Sequence, residues 1–505
     1  MVPGVTHADD VRMSRSPSVL IIGAGFGGLA AAVELKRHGI DTFTVLERAD
    51  HVGGVWQANA YPGAACDVPS IIYQFSFALN GNWKHRYGRQ EEIRDYLDGV
   101  ARDFGILPHI RFDTKVTAAT FSEDSGQWTV ETEGGDTHVA DVLVCATGQL
   151  SEPAIPPIPG LDTFAGHHMH SAEWDDSVDL KGKRVAVVGG GASAIQLVPA
   201  IVDEAEHVTV VQRDPSWIVP KYDWKVGALE RAIMKIPGVP RLYHDAMWWW
   251  FEVRYPMVLD RFDWLRNGWA AMRRRHIRKV IKDPQKAAAA TPDYMFGCNR
   301  LLLSSDWYPT LDRDDVDVYA EAVTEMTPTG LVCADGTTVD ADVVVWCTGF
   351  KATEYLSPID IRGRGGKHIR EAWNDGPEAY LGLTTPGFPN MFMSYGPNTG
   401  SLTNTIVYLV ERQAHYIRQA VEHLSRTGGW IDVRPEVHDG FNARLQDRLQ
   451  HTSFTAGCPG WYTTDSGKVT TVWVGSHIEY GHRTNVFDPV AYEQHQVREP
   501  AATPA

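Results

Sequence analysis

Apolar runs without alternation recur along this chain, and most lead into a glycine-rich turn. Residues 18–22 (SVLII), 183–188 (KRVAVV), 140–145 (ADVLVC) and 341–346 (ADVVVW) are the clearest. Runs of this length predict strands buried on both faces, the pattern of a parallel sheet covered by helices. Behind the first run stands Gly23-Ala24-Gly25-Phe26-Gly27-Gly28. A helical pattern follows over residues 29–39 (LAAAVELKRHG), with Gly39 placed to end it. A second strand, TFTVLE, finishes at Glu47, 19 residues past Gly28. Behind the second run stands Gly189-Gly190-Gly191-Ala192-Ser193-Ala194. There a helix through Ile195 to Ile201 and a strand HVTVVQ lead to Gln212-Arg213. ADVLVCATG and ADVVVWCTG are near-repeats, each expected to close one half of a nucleotide-binding region.

The order strand, glycine turn, helix, strand is the βαβ unit that binds a dinucleotide. Gly23 permits the tight turn, Gly25 lets backbone approach a pyrophosphate, and Gly28 lets helix and strand pack closely. Gly189, Gly191 and Ala194 repeat the scheme. The helix N-terminus offers N–H groups and a positive dipole end to the phosphates. Glu47 is placed to accept hydrogen bonds from a ribose diol. The second unit ends in Arg213 instead of an acid. An acid would repel a 2′-phosphate and an arginine binds one, which favours NADPH over NADH. The alternative for Arg213 is a solvated strand-end charge. The first site lies at the extreme N-terminus, as in many flavoproteins, and is read as the FAD site.

Length and composition narrow the classes. A chain of 505 residues exceeds one ordinary core, and 43% hydrophobic with 22% charged residues is a globular balance. The formal net charge of −16 argues against general nucleic-acid binding. The six cysteines form no CxxC, which excludes a thioredoxin-type pair and a zinc ribbon, and their scatter fits a reducing cytoplasm. No histidine spacing indicates a metal. The polar start lacks a signal-peptide core, and the most apolar stretch, residues 242–259, is broken by charges and Pro256. The fold class expected is α/β, with two Rossmann-like domains, the first discontinuous. The boundaries read as 1–155 (FAD domain, first part), 156–221 (NADP domain, first part), 222–292 (helical insert), 293–330 (NADP domain, second part) and 331–505 (FAD domain, second part). Pro153, Pro156, Pro157 and Pro159 crowd the first crossing as a stiff linker.

Two further segments carry a resemblance. Residues 53–67 (GGVWQANAYPGAACD) and 164–175 (FAGHHMHSAEWD) are similar to signatures of the type I Baeyer–Villiger monooxygenases. The first matches through Gly53, Gly54, Trp56, Tyr61, Pro62, Gly63 and Asp67. The second matches through Phe164, Gly166, His170, Trp174 and Asp175. Residues 61–70 and 296–309 look most like the branch that contains 4-hydroxyacetophenone monooxygenase. The resemblance implies FAD, NADPH, O2 and a hydrophobic ketone, converted to an ester or lactone through a flavin C4a-peroxide. It implies that Arg300 is the catalytic arginine and that Asp67 is its paired carboxylate. Val55, Trp56, Tyr73 and Val116 would contact FAD, and Ser193, Ala194, Gln196, Arg213 and Trp461 would contact NADP. Residues 388–398 would return to the flavin ring. Residues 164–175 would link the domains and sense their movement, with no proton transfer assigned to His170. One departure stands out: Asn299 occupies a position where the family usually has a lysine for the 2′-phosphate.

Between Pro220 and Pro292 the pattern is helical and aromatic, with Trp248, Trp249, Trp250, Phe251, Tyr255, Phe262, Trp264 and Trp269, followed by the basic run 273–279. The first reading is a subdomain packing its own core. A dimer or channel wall and an interfacial membrane anchor over 242–282 are the others. For the whole chain, the runner-up activity is N- or S-oxygenation by a related flavin monooxygenase. A flavin-binding sensor without turnover is the non-enzymatic alternative. The chain is expected to act as a monomer or homodimer in the cytoplasm.

Overall fold

A computed structural model describes residues 16–254, 263–401, 403–452, 462–464 and 466–497. The chain opens with β1 (Val19–Ile22), α1 (Phe26–Arg37) and β2 (Phe43–Leu46). Every residue of β1 is buried, as an unbroken apolar run requires. Helix α1 ends with His38 as its cap and Gly39 at φ +75°, where Ile40 N–H reaches back to Leu35 O at 3.0 Å. That is the glycine stop expected from the pattern. Helices α2 (Val55–Ala58) and α3 (Gln90–Asp103) and strand β3 (Ile110–Arg111) follow. A meander of β4 (Val116–Ser122), β5 (Gln127–Thr132) and β6 (Thr137–Ala140) leads to β7 (Val142–Cys145).

The second half repeats this plan. Strand β8 (His167–His170) precedes β9 (Arg184–Val188), α4 (Ala192–Ile201) and β10 (His207–Val211). After β11 (Ile218–Val219) the described residues form the helices α5 (Ala228–Ile233), α6 (Val239–Glu252), α7 (Asp263–Val280) and α8 (Pro284–Ala289). The chain then forms β12 (Leu302–Leu303), β13 (Val316–Tyr319), the meander β14 (Val323–Thr327), β15 (Gly330–Cys333) and β16 (Thr338–Asp340), and β17 (Val343–Trp346). It returns through β18 (Asp360–Arg362) and β19 (Met391–Met393) to α9 (Ile406–Thr427) and α10 (His477–Arg483).

Two five-stranded parallel sheets result, ordered β19-β7-β1-β2-β3 and β13-β10-β9-β17-β8. The near-repeats sit in equivalent places, β7 beside β1 and β17 beside β9. Each is preceded by an aspartate doing the same work. Asp141 Oδ2 accepts Ser18 N–H at 2.7 Å, and Asp342 Oδ2 accepts Arg184 N–H at 2.9 Å. Two expectations need correction. The boundary at 330 cuts the second sheet, because β17 pairs with β9 and the β14–β16 meander precedes it. Among its described residues, the insert also buries its side chains in cores shared with the rest of the chain instead of in one of its own. Ile277 and Ile281, at the end of α7 and just past it, are buried in the core of the second sheet, and Trp269 packs with Trp217 and Phe296. Trp248 of α6 lies against Tyr408 of α9, ring centroids 5.2 Å apart.

The proline-rich crossing is one of a pair. Ala154 N–H donates to Gly349 O at 3.0 Å, and Lys351 N–H donates to Glu152 O at 3.0 Å. The outbound and returning segments are thus hydrogen-bonded side by side.

Helix α1 is held by α9 through an ion cluster. Arg418 Nε donates to Glu34 Oε1 at 3.0 Å, and His415 Nδ1 lies 3.1 Å from the same oxygen. Burial alone would raise the Glu34 pKa. The bonds from His415 and Arg418 outweigh it and bring the carboxyl from 4.5 down to about 2. A depressed carboxyl stabilises the fold above its unfolded pKa, and that contribution fades as pH falls from 4.5 toward the folded value. Glu34→Gln is expected to lower unfolding free energy at pH 7 by at most about 3 kcal/mol. The gap from the parent should narrow in denaturant titrations below about pH 4.5. An equal gap at pH 7 and pH ~3 would sink the assignment.

Candidate functional site

The first cradle is built by close backbone approach. A Cβ on Gly23 or Gly28 would fall under 3.0 Å from the Ala146 or Gly23 carbonyl oxygen. Gly53 and Gly54 bring the second signature onto the first. Gly53 N–H donates to Ala24 O at 3.1 Å, and a Cβ on Gly54 would lie 3.1 Å from Gly25 Cα. Val55 then opens α2. Trp56 Nε1 donates to Tyr73 Oη at 3.1 Å, and Phe26 meets Tyr73 edge-on. Glu47 is buried at the end of β2, where its Oε2 accepts Ala24 N–H at 2.6 Å and its Oε1 accepts Ala49 N–H at 2.9 Å. The carboxylate therefore braces the glycine loop. Val116 is buried in the core shared with Leu46.

Two polar groups that the sequence reading passed over lie here. Gln149, directly after the glycine of ATG, is buried with neither amide atom hydrogen-bonded among the described residues. Ser394 Oγ, also unpartnered, stands where a Cβ on Gly27 would be. Buried polar atoms of this kind call for a polar ligand. Glycine-lined backbone, a helix N-terminus capped only by Gly25 and these orphaned groups fit a flavin dinucleotide.

The second cradle shares the logic. A Cβ on Gly189 would crowd Cys347 O and one on Gly190 would crowd Gln212 Oε1, both under 3.0 Å. Gly191, the N-cap of α4, faces open space, which leaves room for a pyrophosphate. Ala194 is fully buried. Arg213 is exposed and donates through Nε to Asp214 Oδ2 at 2.6 Å. Gln196 makes a contact that its sequence position did not show. Its Oε1 accepts Tyr61 Oη–H at 2.9 Å and Ala65 N–H at 3.3 Å, while Nε2 donates to Ala65 O at 2.8 Å. Both ends of the amide thus clasp the loop of the first cradle, and Ser193 adds a bond to Tyr61. Gly63 (φ +83°) rests on the same helix, where a Cβ would fall under 3.0 Å from Gln196 O.

That loop carries Asp67 to the seam. Arg300 Nη2 donates to Asp67 Oδ2 at 2.6 Å, across 233 residues of sequence. The guanidinium is 46% exposed, so it faces open volume instead of a packed core. Asp67 beside it raises its pKa further, against burial. Arg300 N–H donates to Tyr462 Oη at 3.3 Å. Tyr395 lies close enough for Arg300 to oppose the rise that burial imposes on its phenol. Tyr395 sits at φ +60°, held by Gln413 Oε1, which accepts its N–H at 2.9 Å. Left-handed backbone at a non-glycine residue is costly and concentrates at functional sites. The turn YGPN was visible in the sequence; its strain was not. Lys221, partly buried, is a further cation near Asp67, its pKa lowered by burial. Cys298 is disulfide-bonded, which the scattered cysteine positions did not predict. Trp461 lies outside the described residues, as do Tyr255 and Phe262.

Residues 164–175 take structural positions. Gly166 allows β8 to meet β17, since a Cβ there would crowd Asp342 O and the Phe164 ring. Phe164 and Trp174 pack on opposite sides of the second sheet, in separate cores. Asp175 Oδ1 accepts Ser177 N–H at 2.9 Å. His170 is fully buried. Its Nδ1 accepts Ala172 N–H at 3.1 Å, so Nε2 bears the proton and donates to Gly349 O at 3.0 Å. Burial lowers its pKa, which keeps this ring neutral. It therefore ties β8 to the returning segment of the paired crossing.

Comparison with known proteins agrees with this geometry. The pyridine nucleotide-disulphide oxidoreductase family profile matches residues 20–233. A Baeyer-Villiger monooxygenase of Streptomyces coelicolor is 43% identical over 491 residues, covering 96% of this chain and 94% of its own. A Baeyer-Villiger monooxygenase of Pseudomonas aeruginosa is 36% identical, covering 97% and 95%. Among solved structures, NADP+-bound cyclohexanone monooxygenase from Rhodococcus sp. Phi1 superposes with a TM-score of 0.85 at 29% identity, covering 95% of this chain and 99% of its own. Oxidized steroid monooxygenase bound to NADP gives 0.83 at 31% identity, covering 93% and 97%.

The seat of Gly63 on α4 is testable against Gly39, which has a similar φ but where a methyl group would meet no atom within 4 Å. Gly39→Ala carries backbone strain alone, whereas Gly63→Ala adds a clash with Gln196. Gly63→Ala is expected to cost about 2 kcal/mol more in urea unfolding. Equal costs would mean the loop is not seated as described.

Proposed function

Because the chain belongs to the type I Baeyer–Villiger monooxygenases, we propose that Arg300, set by Asp67 at the seam of two dinucleotide cradles, is the charge on which its ketone oxygenation turns. The observation that carries this reading is the 2.6 Å pair itself. It joins the loop leaving the first cradle to the segment returning from the insert. A solved relative is described in complex with FAD and NADP. We assign FAD to the cradle of Gly23, Gly25 and Gly28, and NADPH to that of Gly189 and Gly191. Bound FAD, reduced by NADPH, supplies the activation of O2, one atom of which enters beside the carbonyl while the other leaves as water.

The protein's share is binding, orientation and electrostatics. A guanidinium holds its proton at every working pH, so Arg300 offers a fixed positive charge that cannot quench an anion by protonating it. It has five N–H donors, and Asp67 takes one. The remaining donors face the open seam, where they can stabilise negative charge building on the carbonyl oxygen. Asp67 restricts the rotation of the arginine and tempers its charge. Trp56, Tyr73, Tyr395 and Tyr462 give that region aromatic walls, which support a hydrophobic ketone. Gln196 acts as a clasp that keeps Asp67 in reach.

For the coenzyme, Arg213 shares its charge with Asp214, and Asn299 bonds to Tyr294 instead of presenting a cation. This supports a modest preference for NADPH.

Arg300→Ala is expected to lower ester formation from a ketone panel about 10²–10³-fold while NADPH binding persists. The parent should convert ketones with one NADPH and one O2 consumed per ester. Turnover of amines or sulfides with no ester formed from any ketone would overturn the reading. Asn299→Lys should raise the NADPH-to-NADH ratio of kcat/KM about tenfold, or about 1.4 kcal/mol. An unchanged ratio would show that position 299 does not face the 2′-phosphate.

A further inference from the structure

Helix α6 has one face covered by the fold and one apolar face left open. Its inner face packs on the flavin half: His244 is buried, Trp248 lies against Tyr408, and Glu252 is buried against His477. Its outer face is solvent-exposed. Leu242 is 72% exposed, Trp249 53%, Trp250 60% and Val253, just past the helix, 64%. These residues share one side of the helix, at spacings of seven, eight and eleven. Leu229, Ile233 and Ile236, on and just past α5, add a second exposed apolar stripe at i, i+4 and i+7. Exposed tryptophan beside aliphatic residues over two adjacent helices is a patch that soluble surfaces avoid.

The charge around it is selective. Residues 225–254, which carry both helices, hold five lysines and arginines against three acids, in a chain of net −16. The acids of α6 are turned away or neutralised. Glu252 accepts from Asn404 Nδ2 at 3.2 Å and pairs with His477. Asp245 pairs with Arg241 and His244. Arg254 lies over the rings of Trp250 and Phe251. Lys235, just past α5, is exposed.

We propose that the outer face of α6, with the basic residues of its own segment, docks on an anionic phospholipid surface. Tryptophan prefers the headgroup region, where its ring is buried and its N–H stays wet. Lysine and arginine add attraction to anionic headgroups. A second copy of this chain is the poorer occupant, because symmetric pairing sets the same net-positive surface against itself. Among the described residues no helix is long and apolar enough to cross a membrane, so the contact lies in the interface plane. Docking there would bring the enzyme to ketones dissolved in the bilayer.

The test uses the full-length, flavin-loaded protein with vesicles of phosphatidylcholine alone or containing about one-third phosphatidylglycerol. Co-sedimentation is expected with the anionic vesicles, with a blue shift of tryptophan emission, and both should weaken as salt rises. The double substitution Trp249→Glu with Trp250→Glu should weaken binding at least about tenfold and leave turnover of a water-soluble ketone unchanged. Failure to bind anionic vesicles, or equal binding to neutral ones, would overturn the proposal. So would a dimer in analytical ultracentrifugation that the double variant dissociates without any vesicle binding in the parent.

Discussion

Gly63 rests on helix α4 where a single added carbon would collide with backbone, and the geometry of the Arg300–Asp67 pair hangs from that contact. An arginine–carboxylate pair as exposed as Arg300 and Asp67 contributes little by itself, commonly ~1 kcal/mol or less. It cannot hold two large units in register. The register comes from packing and from the three bonds that Gln196 makes to Tyr61 and Ala65. Asp67 stands two residues beyond that anchored point. The arginine arrives from a segment more than two hundred residues later. Rigid support outside the reacting pair is what allows a solvent-facing ion pair to have a defined direction.

Much of this was legible in the amino-acid order. The strands and the glycine turns were readable because steric exclusion is local: a turn that passes under a carbonyl admits only glycine. Arg300 and Asp67 were readable only through family resemblance, since their pairing is made across 233 residues. Gln196 carries a contact that was not legible. It sits on the helix that follows a phosphate loop, where a cofactor role is the natural reading, yet its amide is consumed by a neighbouring loop. Tyr395 and Gln149 were missed because strain and unsatisfied burial are properties of the folded chain. The boundary expected at 330 was misplaced for a similar reason, since a meander looks alike whichever sheet it serves.

The two halves are variations on one plan. An aspartate one residue before the closing strand accepts the N–H at the head of the opening strand, at Asp141 and again at Asp342. Each half has a glycine loop pressed against the end of that closing strand, at Ala146 and at Cys347. What differs is the use of the helix N-terminus. In the first half Gly54 and α2 close over it, while in the second Gly191 stays open. A tightly held group and an exchanging one need different mouths, and the same scaffold provides both.

The paired crossing has a mechanical meaning. Two segments hydrogen-bonded side by side, with His170 pinned to one of them, form a flat ribbon between the halves. A ribbon bends about one axis far more readily than it stretches or twists. A link of this kind favours relative movement of the two cradles about one hinge-like axis over sliding or twisting.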